Sequence, residues 1–174
     1  MSAQKDNVFS AYDNAIGFAN AFHLLFSKTN INALMQSRSA KDASMVMPTI
    51  VNGTLACELF LKALLKEPPC KGKDAHSLVS LLDQYNSEQP GKKDYIMQAC
   101  IQAMQLSQSN NKYNKDAFQR DLQAIDTAFL SVRYWHEPKK QQYEQTYSLG
   151  FLVVFVGVLQ QECNEIYGNS VFLQ

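Results

Sequence analysis

Apolar side chains recur at spacings of one, three and four near the start of the chain: Val8, Phe9, Tyr12, Ile16, Ala19, Phe22 and Phe26. That period puts them on one stripe of a helix, expected to be capped by Asp6 or Asn7 and to end near Ser27. The polar stretch 28–41 reads as a connection with a short helical turn at 31–36. Asp42 or Ser44 offers the N-cap of a second helix, and Pro48 either bends it or marks its true start. From Ile50 to Leu65 the chain is apolar on nearly every face, the pattern of a helix at the centre of a bundle. Pro68, Pro69 and Gly72 then stop it.

The following segments are shorter. Asp74 is expected to cap a helix over Ala75–Tyr85, with Leu78, Val79, Leu81 and Leu82 on its apolar side. Asn86 to Lys93 breaks at Pro90-Gly91, and Asp94 caps a helix through Ile96, Cys100 and Met104. After a polar loop, Asp116 opens a helix in which Phe118, Leu122, Ile125, Phe129, Val132 and His136 step by four, three, four, three and four. Pro138 ends it. Tyr143, Tyr147, Phe151, Val154, Val158 and Cys163 keep a mostly helical spacing, and Gly168-Asn169 closes that segment. The run 151–156 would also suit a buried strand, but no partner strand appears elsewhere, so a helix is expected. Gly150 and Gly157 lie seven apart and share a face that would let another helix approach closely. These elements predict an all-α, up-down helical bundle of five to six helices, forming a single domain over 1–174.

Composition narrows the classes. The chain has 174 residues, enough to bury a core without staples. Sixteen basic residues balance sixteen acidic ones, so no basic field marks a nucleic-acid surface. Cys57, Cys70, Cys100 and Cys163 lie far apart and form no zinc spacing; they read as free thiols of a reducing compartment. No glycine-rich phosphate loop, nucleophile elbow or His-Glu-x-x-His is present, and no metal or cofactor is expected. The N-terminus lacks a signal-peptide apolar run, and the longest apolar block, 149–159, falls short of the roughly 20 residues of a membrane span. The expectation is a cytoplasmic protein that does not engage a membrane.

The chemistry concentrates in Arg133-Tyr134-Trp135-His136-Glu137. On a helix, Arg133, His136 and Glu137 cluster on one side of the last turn. An imidazole and a guanidinium together are the minimum apparatus for metal-independent RNA cleavage, with Tyr134 and Trp135 able to stack on bases. The competing reading makes Arg133 a structural cation serving Glu137 or Glu58. Glu58 stands inside the most apolar run and has two readings of its own. It pairs with Lys62 four residues on, along an exposed sliver of the helix, a contact worth about 0.2–0.5 kcal/mol, or it is a buried carboxylate that needs a cation from another helix. A Glu58–Arg133 contact across the core is expected on the second reading. His76 is expected in the first turn of its helix, in a capping or loop-packing role, and His23 at the edge of the first helix's stripe.

Three segments together resemble the HEPN family. Residues 52–65, Asn-Gly-Thr-Leu-Ala-Cys-Glu-Leu-Phe-Leu-Lys-Ala-Leu-Leu, are similar to its small-x-Glu-x-x-Leu-Lys-x-Leu helix. His76-Ser77-Leu78-Val79-Ser80-Leu81-Leu82 resembles its His-Asp/Asn-Leu-x-x-Leu turn. Phe129 to Glu137 is similar to a Phe-x-x-x-Arg-Tyr-x-x-Glu ending found in one subset. The resemblance implies an all-α bundle, commonly dimeric, and among catalytic members an endoribonuclease of toxin–antitoxin or defence systems. Those members use Arg, then four to six residues, then His. This chain departs from that, since His136 follows Arg133 at the third position and no histidine fits Arg120 either. The resemblance thus implies a noncatalytic or weakly catalytic module related to RNA or a nucleotide, a homodimer with an antitoxin-like partner protein. Its polar cluster would be Glu58, His76, Tyr134, Trp135 and Glu137 with Arg133 and His136. The alternatives are an endoribonuclease toxin using Arg133 and His136, or an assembly subunit whose last helix, with Gly150 and Gly157, forms the dimer face.

Overall fold

A helix with no polar face must be enclosed, and that requirement organises the chain. In a computed structural model, residues 2–28, 40–69, 72, 75–108, 112–126 and 148–168 are described. Among them are six helices and no strand: α1 (Ser2–Lys28), α2 (Ala40–Leu64), α3 (Leu78–Glu88), α4 (Lys92–Gln108), α5 (Lys115–Asp126) and α6 (Leu149–Tyr167). The fold is therefore all-α. α2 is the central element, packed against α1 along much of its length and also against α3 and α6, while α4 packs on α6. Ala56, Cys57, Phe60, Leu61, Ala63 and Leu64 of α2 are all buried.

Several boundaries differ from the expected ones. α1 starts at Ser2, ahead of Asp6 and Asn7, because residues 2–6 contain no glycine or proline to stop it. α2 starts at Ala40 and runs through Pro48, which is exposed; Asn52 Nδ2 donates to the Pro48 carbonyl at 2.7 Å. Thr49 and Thr54 are buried within α2, and their hydroxyls donate to carbonyls of their own helix, Met45 at 2.7 Å and Ile50 at 3.0 Å. α3 begins at Leu78, not Ala75. Its N-cap is Ser77, whose Oγ accepts from Ser80 N–H at 3.1 Å, and Asp74 lies outside the described residues. α4 starts at Lys92, with Asp94 in its first turn. α5 is described as far as Asp126, and α6 begins at Leu149 with Ser148 as its cap. The turn expected at 31–36, the seam beyond Ile125 and the tyrosines at 143 and 147 lie outside the described residues.

The connection between α3 and α4 is tight for local reasons. Gly91 has φ of 91°, a conformation that glycine adopts without a Cβ penalty. Asn86 Oδ1 accepts from the Gly91 N–H at 3.1 Å and the Lys93 N–H at 3.2 Å, so one side chain closes the turn. This fixes where the first residue of α4, Lys92, falls relative to α3.

α6 is long and apolar enough, by length and composition alone, to cross a membrane. Here Phe151, Leu152, Phe155, Val156 and Leu159 are buried in the core. Phe151 stacks on Phe155 at 5.5 Å, and Phe118 of α5 meets Phe151 edge-on at 5.6 Å. Gly150 and Gly157 are both exposed, and a Cβ at Gly157 would meet nothing within 4 Å. Within the chain, a close helix approach occurs elsewhere. A Cβ on Gly53 of α2 would fall 2.8 Å from Leu152 Cδ2 and 2.9 Å from Phe22 Cδ2, where α1, α2 and α6 converge.

Cys57, Cys100 and Cys163 are buried free thiols, as expected for this composition; Cys70 lies outside the described residues. Burial pushes the Cys100 thiol up to about 12, and it raises Cys57 and Cys163 as well. Tyr85 and Tyr113 are raised first by burial, then by the carboxylates of Glu162 and Asp121 they contact.

Two outcomes follow from this packing. Gly53→Ala should destabilise the fold by about 1–3 kcal/mol in urea denaturation, because the core has no room for the methyl. Gly157→Ala should be neutral or stabilise by up to about 1 kcal/mol, since only helix propensity changes. The raised thiols and phenols are held protonated by the fold. Their contribution to stability is therefore fully present below their ordinary values and is lost as pH rises toward the folded-state values. The melting temperature should fall between about pH 9 and pH 11, and Cys100→Ala should flatten that fall.

Candidate functional site

Glu58 lies on the side of α2 facing the segment that leads into α3. It is 7% exposed, so its carboxylate needs cationic or hydrogen-bonding partners. Each expected reading holds in part: Lys62 is a partner, but Glu58 is buried and not on an exposed sliver. Lys62 Nζ, one turn on, contacts Glu58 Oε1 at 2.7 Å, and His76 Nδ1 contacts the same oxygen at 2.9 Å. The second partner comes from another part of the bundle, although it is an imidazole and not the guanidinium of Arg133. Arg133, Tyr134, Trp135, His136 and Glu137 lie outside the described residues, and so does the expected Glu58–Arg133 contact.

His76 is not in a helix. It sits two residues ahead of α3, and its side chain is 60% exposed while that of Glu58 is 9% exposed. The backbone around it is anchored on both sides. Ala75 N–H donates to the Gly72 carbonyl at 3.3 Å. On the other side, Ser77 Oγ donates to Asp126 Oδ2 at 3.2 Å, and the Val79 N–H donates to Asp126 Oδ1 at 3.2 Å. Asp126, the last residue of α5, thus places a carboxylate at the N-terminus of α3, where the helix dipole favours negative charge.

The sequence pattern did not single out Asp126, nor two further polar groups. Tyr113 OH donates to Asp121 Oδ2 at 3.0 Å, and Arg120 contacts Asp121 Oδ1 at 3.2 Å. They border an open cleft of about 730 Å³ whose lining includes Lys112, Asn114, Asp116 and Ser148. Lys112 and Arg120 in its lining are balanced by Asp116 and Asp121, so the lining carries no net charge to attract an anion.

Glu162 of α6 is the other, and it is 1% exposed. Its Oε1 accepts from Tyr85 OH of α3 at 2.6 Å and contacts Lys92 Nζ of α4 at 2.6 Å. Oε2 has no hydrogen-bond partner among the described residues. A signal for it existed: Glu162 lies seven after Phe155 and three after Leu159, on the buried stripe of α6. His23 is exposed on α1, with its ring 5.2 Å from that of Phe22. Among the described residues, no group of three or more His, Cys, Asp or Glu side chains could hold a metal.

Of these groups, the Glu58–Lys62–His76 cluster alone combines a buried anchor with an exposed, proton-carrying ring. Asp126 and Glu162 tie helices together, and Asp121 bonds Tyr113 and its neighbour Arg120. Comparison with protein-family models, curated proteins and solved structures returned no match.

Truncating Lys92 to alanine should leave the Glu162 carboxylate buried without its cation and cost about 3–5 kcal/mol in denaturant unfolding. The Lys92→Met, Glu162→Leu double variant should recover most of that loss. Additive losses in the double-mutant cycle would mean that the two side chains are not coupled.

Proposed function

We propose that the chain is a HEPN-like helical-bundle module that engages RNA or a nucleotide, noncatalytic or weakly catalytic. It acts in the cytoplasm, in a bacterial defence or toxin–antitoxin type system, as a homodimer that meets an antitoxin-like partner protein. The observation that carries this reading is the contact of Glu58 with His76 at 2.9 Å. It joins two of the three segments on which the family resemblance rests, a helix motif and a turn motif separated by 18 residues. An all-α bundle agrees with it, as does the placing of the glutamate on the central helix.

On this reading Glu58, Lys62 and His76 sit where the α2–α3 connection meets solvent, and Tyr134 and Trp135 are the residues proposed to stack on bases. With no net charge on the chain, electrostatic attraction to phosphates is weak and local. Affinity would then depend more on stacking and hydrogen bonds than on counterion release.

The test is titration of a fluorescein-labelled single-stranded RNA and a panel of nucleotides with purified chain, followed by fluorescence anisotropy. Saturable binding is expected, with a shallow salt dependence. Expression in a bacterial host should leave growth unaffected or slow it mildly. Strong growth arrest abolished by His136→Ala would replace this reading with that of a toxin using Arg133 and His136. No binding to any RNA or nucleotide would end it.

A further inference from the structure

We draw no further inference here: the strongest candidate, the open cleft between α5 and the N-cap of α6, carries nothing, because its cations Lys112 and Arg120 are matched by Asp116 and Asp121, and among the described residues no buried polar atom without a partner lines it to show what ligand it would take.

Discussion

The enclosure of α2 is the constraint on which the other features depend. From Ile50 to Leu65 this segment presents apolar surface in nearly every direction, and no orientation against a single neighbour would hide it. It therefore draws α1, α3 and α6 around itself. Gly53 lets α1 and α6 close in on it, with Leu152 and Phe22 occupying the space a side chain would take. The same enclosure takes Glu58 out of water. A carboxylate in that position has to find cationic or hydrogen-bonding partners, and it finds Lys62 one turn along its own helix and His76 at the entry to α3. The packing of the core thus creates the polar cluster at its edge.

Two buried carboxylates meet this demand differently. Glu162 is interior, and its partners Tyr85 and Lys92 come from two other helices, so the contact ties α3, α4 and α6. Its energetic role is to penalise arrangements that separate those helices, because an unpaired buried charge costs far more than a paired one contributes. Glu58 is peripheral, and one of its partners is a ring mostly in solvent. Exposure separates an internal tie from a group that can meet a ligand. Asp126 stands between these cases, bonding the cap and first turn of α3 while orienting the segment that carries His76.

Legibility in the sequence followed the type of physical signal. Periodicity of 3.6 residues is local, so the all-α class, the central position of α2 and the stop at Pro68-Pro69 could all be read directly. The break at Pro90-Gly91 was equally plain, since Gly91 needs a positive φ. Helix starts were less legible. Several Ser, Asp and Asn residues stood near each start, and which one caps depends on whether other chain segments satisfy the same N–H groups; at α3 that work is shared by Ser77 and Asp126. For the same reason His76 was expected inside a helix and lies ahead of it.

What the linear chain determined by itself was which of the described segments are helical and which of them has no face to spare for water; for Glu58 it left an exposed pair with Lys62 and a buried carboxylate both open. These follow from side-chain chemistry at fixed spacing and require no knowledge of neighbours. Tertiary structure alone decided who answers each charge: His76 for Glu58, Lys92 and Tyr85 for Glu162, and the α3 cap for Asp126. It also decided that the tight helix approach falls at Gly53 and not at Gly157. Pairings across 18 to 77 residues of chain depend on how whole helices stack, and spacing along one helix carries no record of that.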